Sequence, residues 1–272
     1  MKENNENHYI DSESMNQIIS EAFESAQPAE LQVLSSETAA AFMEQTKHFI
    51  GTMVQYKELM MMYTCAIKEV RTKFDVLNTE FNVRHQRNPI QFISSRLKRT
   101  ASISEKLEKK GLEFTIENIE QDIEDIAGIR IICAYIDDIY SLADSLICQD
   151  DITLIKRKDY IANPKPNGYR SLHLIVSVPV FFSEQKRDMK VEVQIRTIAM
   201  DFWASLEHQL KYKHNVPGEQ EVIAKLKSCA DVIAQTDKDM LDIRKQIELA
   251  ADVPTEEEIL LEKIKNIDVP IV

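Results

Sequence analysis

The stretch DIAGIRIICAY, residues 125–135, and its later counterpart KVEVQIRT, residues 190–197, decide how this chain folds. Both are runs rich in β-branched residues, and each carries a carboxylate at or near its edge, Asp125 and Glu192, with an arginine within five residues downstream. An acid beside an apolar strand is costly to bury unless it faces a cation or a metal. Two such acids point to one shared metal. Between them KRKDYIANPKPNGYRSLH, residues 156–173, supplies Lys156, Arg157, Lys158, Lys165, Arg170 and His173, with Tyr169 directly after a glycine. Carboxylates, cations and an exposed aromatic together describe a site for a phosphorylated, ring-bearing molecule, that is, a nucleotide.

Working outward, strand periodicity predicts strands near 128–135, 152–160, 171–179 and 189–196, with a helix at about 138–149. Alternation puts Glu192, Gln194 and Arg196 on one face of the last strand and Val191, Val193 and Ile195 on the other. In the third strand His173 and Ser177 oppose Leu174 and Val176. One side of the sheet is therefore polar at its working end. Upstream, residues 37–81 contain no proline and no glycine except Gly51, with apolar residues at helical spacing, which predicts one or two long helices with Met60 to Met62 in the core. A second helix is expected over 89–110, closed by Gly111 as a C′ residue, followed by a short acidic helix ending near Asp125. It would carry Arg96, Lys98, Lys106 and Lys109 as one short basic segment. Downstream, a helix at 198–212 holds the sole tryptophan, Trp203, and another from Glu219 shows a heptad at Val222, Leu226, Cys229, Ile233, Thr236, Met240, Ile243 and Ile247. Strands interspersed with helices make the fold α+β or α/β rather than a helical bundle.

Composition is consistent with one catalytic domain. The 272 residues are 44% apolar, ordinary for a soluble globular protein. No stretch approaches the ~20 apolar residues of a membrane span, and the start MKENNENHYIDSES has no apolar signal core, so a cytoplasmic protein is expected. Cys65, Cys133, Cys148 and Cys229 form no C-x-x-C pair and are read as reduced thiols, mostly in the core. The net charge of -12 is unevenly spread. Residues 1–45 carry nine acids against Lys2 and residues 251–272 six acids against two bases, which leaves 30 acids and 30 bases in residues 46–250. The body of the protein does not repel phosphates.

Taken in order, R-L-K, DIAGIR, GYRSLH, EVQIRT and W-A-S-L-E-H resemble the synthetase domain of the RelA/SpoT homologues, and more narrowly the small alarmone synthetases. The resemblance spans about residues 50–245. It implies an α+β fold with a mixed sheet of about five strands flanked by helices, nucleotidyltransferase-like, with long N- and C-terminal helices. It also implies an acidic extension at 1–45, a synthetase domain at 46–216, an oligomerisation helix at 217–250 and an acidic tail at 251–272.

The implied reaction is Mg²⁺-dependent transfer of pyrophosphate from ATP to the 3′-hydroxyl of GDP or GTP, making (p)ppGpp and AMP. By the same resemblance Arg96 and Arg130 sandwich the adenine, and Lys98, Lys106 and Lys109 hold ATP phosphates. Asp125 and Glu192 bind the metal, and Glu192 also takes the proton of the attacking hydroxyl. Lys158, Lys165 and His173 hold acceptor phosphates, Tyr169 stacks on guanine, and Gln194 and Asp201 complete the acceptor pocket. Lys158 stands where arginine is common in the family, and Asp201 where some members have asparagine. No histidine is followed by aspartate, so the His-Asp motif of alarmone hydrolysis is absent. Related small synthetases assemble as tetramers, and the 222–247 stripe asks for a partner helix. Two other readings stay open from sequence: a relative that pyrophosphorylates tRNA 3′ ends, and a non-catalytic RNA- or nucleotide-binding regulator. Acidic tails weigh against the first, intact Asp125 and Glu192 against the second.

Overall fold

The structure, a computed structural model, describes residues 36–85, 87–211, 219–250 and 260–262. The chain divides into two compact units, Met1–Gln55 and Tyr56–Val272. The described part of the first is the leading portion of one long helix, α1 (Ser36–His85). Residues 1–35 of the acidic extension, most of the acidic tail and the expected boundary at 216/217 lie outside the described residues, whereas residues 36–45 belong to α1.

The second unit is built on a five-stranded sheet of β1 (Ile90–Leu97), β2 (Ala127–Cys133), β3 (Thr153–Asp159), β4 (Leu172–Phe181) and β5 (Lys186–Thr197), in the order β1-β2-β5-β4-β3. β2 and β5 run parallel, and every other neighbouring pair is antiparallel. The helices are α2 (Thr100–Glu108), α3 (Ile116–Asp122), α4 (Ile136–Ile147), α5 (Ile198–Lys211) and α6 (Glu219–Ala250). One face of the sheet is the core: Ile129, Ile131, Leu174, Val176, Val191, Val193 and Ile195 are buried with Ile139, Leu142 and Leu146 of α4 and with Leu59, Tyr63, Ala66, Val70, Phe74 and Leu77 of α1. The steps of three and four along α1 place that apolar row on a single helix face.

The expected helix over 89–110 is corrected. Residues 90–97 are β1, pairing antiparallel with β2, and only 100–108 are helical. Ile90, Phe92 and Ile93 suit an extended backbone, and the hydrogen-bonding edge that β2 offers outweighs the helical spacing of the segment. Arg96 is thus a strand residue, Lys98 follows the strand, Lys106 lies in α2 and Lys109 at its C-cap. Gly111 follows with φ +71, the left-handed conformation anticipated for it. The cysteines are less buried than expected, with Cys133 buried but Cys148 and Cys229 exposed.

The other face of the sheet is polar. Cross-strand register aligns Ser94, Arg130, Gln194, His173 and Lys158 in one row across all five strands. A second row joins Arg96, Gly128, Glu192 and Ile175. Directly opposed residues share a face, so the two rows bring side chains from positions 94 to 194 onto one surface. α6 packs on α5: Trp203 and Ala204 bury against Ala230, with Leu226 and Ile233 packed alongside. The heptad is therefore divided, its first part serving this unit while Met240, Ile243 and Ile247 are exposed.

Candidate active site

Asp125 sits two residues ahead of β2 and is held by two lysines, Lys98 Nζ at 2.9 Å from Oδ2 and Lys106 Nζ at 2.8 Å from Oδ1. Lys98 comes from the end of β1, where its backbone N–H donates to the Ile126 carbonyl, and Lys106 from α2. Burial pushes the Asp125 carboxyl up, but the hydrogen bonds from Lys106 and Lys98 outweigh it and hold it below the ordinary aspartate range. Arg130, five residues on, is not among the partners of Asp125. Arg130 pairs with Asp201 at 3.3 Å instead.

Glu192, in the middle of β5, accepts from Gln194 Nε2 at 2.9 Å and meets His173 Nδ1 at 3.3 Å. Burial raises its pKa, the His173 hydrogen bond and charge lower it, and the net is a carboxyl below its ordinary value. His173 Nε2 lies 2.8 Å from the Tyr169 hydroxyl, which also accepts from Arg196 Nη2. An ionised carboxylate only accepts, so an imidazole proton sits on Nδ1, facing Glu192, and in the neutral ring Nε2 is then the acceptor for the Tyr169 hydroxyl. Arg196 is itself nearly buried, fixed by Gln194, Ser171 and Asp201 at 2.9, 3.2 and 3.2 Å. Nothing in the residue-by-residue reading marked Arg196 as part of the site, although its place on the Glu192 face was the available signal.

Arg96 and Arg130 line a cavity of about 200 Å³ with Ser94, Ser95, Gly128, Glu192 and Gln194. An adjoining cavity of about 380 Å³ runs from the same two arginines past Tyr169 and Arg196 to Glu207 and His208 of α5. The Nε of Arg130 is buried without a hydrogen-bond partner among the described residues. Two guanidinium groups in the wall of one cavity suit a flat heterocycle, on which a planar guanidinium stacks. On the far side Lys165 Nζ stands 4.7 Å from the Tyr160 ring centre and 4.8 Å from that of Tyr169. Those cation–π contacts fix a lysine beside an aromatic platform.

The site thus brings together Arg96, Lys98, Lys106, Asp125, Arg130, Lys165, Tyr169, His173, Glu192, Gln194 and Asp201. It does not gather Lys109, whose ammonium pairs with Glu105 on the solvent side of α2. Lys158 shares the sheet row but is exposed, its charge felt by Glu124, which Lys156 holds at 2.9 Å. Asn167 and Glu207, joined at 3.0 Å, were not anticipated, and Glu207 is buried.

No three His, Cys, Asp or Glu side chains gather as a metal site among the described residues. Mg²⁺ needs no such cage, since one or two carboxylates plus substrate phosphates and water commonly hold it. Asp125 and Glu192 fit that pattern. Both are ionised at neutral pH, and the charge of Asp125 is felt at Glu192 as a repulsion that a cation would relieve.

Residues 95–217 match the family model described as the region found in RelA / SpoT proteins. GTP pyrophosphokinase YwaC of Bacillus subtilis (strain 168) is 44% identical over 196 residues, covering 72% of this chain and 93% of the relative. Among solved structures, small alarmone synthetase 1 from Bacillus subtilis bound to its product pppGpp superposes with TM-score 0.64 at 35% identity, covering 71% of this chain and 98% of that one. The same enzyme bound to AMPCPP gives TM-score 0.60 at 31% identity, covering 71% and 98%.

Proposed function

The chain belongs to the RelA/SpoT family, among its small alarmone synthetases, and from that premise we propose that it is a GTP/GDP pyrophosphokinase using ATP as donor. The observation that carries the reading is a set of two ionised carboxylates close enough for the charge of one to be felt at the other, Glu192 on the polar face of β5 and Asp125 just ahead of β2. Asp125 is backed by two lysines, Glu192 by a histidine whose proton points at it.

In this reading the cavity at Arg96 and Arg130 takes the adenine, with the guanidinium planes against its faces. Lys98 and Lys106, already at Asp125, take the triphosphate, and Lys109 would join them only by leaving Glu105. Tyr169 stacks on guanine, Lys165, His173 and Lys158 face the acceptor phosphates, and Gln194 and Asp201 close the pocket. Asp125 and Glu192 would hold Mg²⁺, whose chemistry when bound is to neutralise charge on the phosphates. The 3′-oxygen of the acceptor attacks the β-phosphorus of ATP, the bond from that phosphorus to the α-phosphate oxygen breaks, and AMP leaves. Glu192 takes the 3′-hydroxyl proton. Its depressed pKa keeps it unprotonated at neutral pH, and His173 holds it in place. Little covalent help is asked of the protein, because phosphoryl-type transfer depends mostly on alignment and on neutralising spread charge.

The enzyme acts in the cytoplasm as a homo-oligomer, most simply a tetramer, through the exposed stretch of α6. The test is incubation with ATP labelled in its terminal phosphates and with GDP, GTP or tRNA as acceptor. Label should move to a guanosine 3′-pyrophosphate with one AMP formed per transfer. Label on tRNA alone, or none on any acceptor, would overturn the reading.

A further inference from the structure

The loop that carries Tyr169 is fastened to α6 from behind. Tyr169 turns its ring to the site, while the next residue, Arg170, turns away: Nη1 donates to the Ala230 carbonyl at 2.9 Å and Nη2 pairs with Asp231 Oδ1 at 3.1 Å. Gly168, with φ +91, lies so near that a Cβ there would stand 2.6 Å from the Ala230 Cβ. Beside this joint Trp203 Nε1 donates to the Leu226 carbonyl at 2.9 Å, and Thr197, next to Arg196, gives its hydroxyl to Asp237 at 2.7 Å. The Arg170 side chain is only 17% exposed and makes no contact with the donor cavity.

We propose that Arg170 is a positioning residue for the acceptor nucleotide: its forked contact with α6 holds the Tyr169 platform, and thereby the acceptor site, without touching either substrate. This rests on the guanine-nucleotide reading of the site. A planar fork is needed because one guanidinium must serve a carbonyl and a carboxylate at once, which an ammonium on a flexible stem does less well. Loss of the fork frees Tyr169 to swing, so acceptor binding suffers while the donor side, built on β1, β2 and α2, does not.

Trp203 gives a direct readout. It is the sole tryptophan, packed at this joint with its ring centre 6.5 Å from that of Tyr169. Its emission, titrated with GDP and separately with the non-transferable ATP analogue AMPCPP, is to be compared in wild type, Arg170→Ala, Arg170→Lys and Asp231→Asn, alongside KM for each substrate. Arg170→Ala should weaken GDP binding roughly tenfold or more, in keeping with charged hydrogen bonds. Arg170→Lys and Asp231→Asn should weaken it less, and AMPCPP binding and the KM for ATP should stay within about twofold in all three. Equal loss for both nucleotides would make Arg170 a general scaffold residue and overturn the proposal, as would unchanged GDP binding. If Arg170→Ala does not fold, the two milder variants decide on the same criterion. Failure of the wild type to bind GDP at all would remove the guanine-nucleotide reading itself, an outcome distinct from an unaltered variant.

Discussion

His173 and Glu192, on neighbouring antiparallel strands, meet with Nδ1 3.3 Å from Oε1, both side chains mostly withdrawn from solvent. The geometry gives the carboxylate a fixed direction and leaves its second oxygen against Gln194 Nε2. Both partners of Glu192 lie in the next row of the sheet, on β4 and β5.

That arrangement sets the acid limb of activity. Burial pushes Glu192 up, yet the hydrogen bond from His173 brings it below the ordinary glutamate value, so the base stays ionised throughout the neutral and mildly acidic range. Removing the donor by His173→Phe should move that limb toward higher pH. The check is kcat/KM against pH at saturating ATP and Mg²⁺; superimposable limbs in the two proteins would show that His173 does not tune Glu192.

Asp125 offers a stability test of known sign. Its folded pKa lies below its unfolded value, so it stabilises the fold above about pH 3.9 and loses that contribution as pH falls through the lower, folded value. The difference in unfolding free energy between wild type and Asp125→Asn should be full at pH 7 and vanish in strong acid. A difference that grows toward low pH would contradict the ion pairs with Lys98 and Lys106.

Gly168 and Gly111 make a matched pair, both at positive φ but only the first against another element. Gly111→Ala should cost about 1 to 2 kcal/mol, the left-handed penalty alone. Gly168→Ala should cost more, adding the overlap with Ala230 at roughly 1 to 3 kcal/mol. Thermal unfolding of both variants separates the two contributions, and equal shifts would mean that the joint with α6 is soft.

Asp201 divides its Oδ1 between Arg196 at 3.2 Å and Arg130 at 3.3 Å. The acceptor-base role predicts that its other oxygen accepts from guanine N1–H and N2–H, worth roughly 3 kcal/mol or about a hundredfold. Comparing kcat/KM for GDP, IDP and ADP in wild type and Asp201→Ala should show the spread narrowing in the variant. A full spread with only a lower Tm would leave Asp201 as a counter-ion to the two arginines.

The exposed part of α6 predicts assembly. Leu226 and Ile233 are spent on Trp203 within the subunit, whereas Met240, Ile243 and Ile247 are free. Light scattering should give a multiple of 31.4 kDa, reduced by Ile243→Glu with Ile247→Glu. A wild-type monomer at micromolar concentration would refute oligomerisation through this stripe.

What the residues disclosed follows from how local each signal is. β2 and β5 were readable because apolar and polar positions alternate along them and both fill the core face. β1 was not, because Ile90 is its only fully buried residue and its strand state depends on pairing with β2, some 35 residues on. The polar side of the site was half visible: Glu192 and Gln194 share one face of β5, so alternation found them, and it placed Arg196 on that face without giving it a role. The partners were not visible, since Asp125 draws lysines from positions 98 and 106, and Arg130 draws its acid from position 201.

The general-base role of Glu192 is tested most directly by the rate of pyrophosphate transfer to GDP in Glu192→Gln, measured with excess Mg²⁺ and saturating ATP. The amide keeps the side chain's size and its contact with Gln194 while losing the proton acceptor, so transfer should fall by about 10² to 10⁴ with the fold intact. A rate within about threefold of wild type would take Glu192 out of the mechanism.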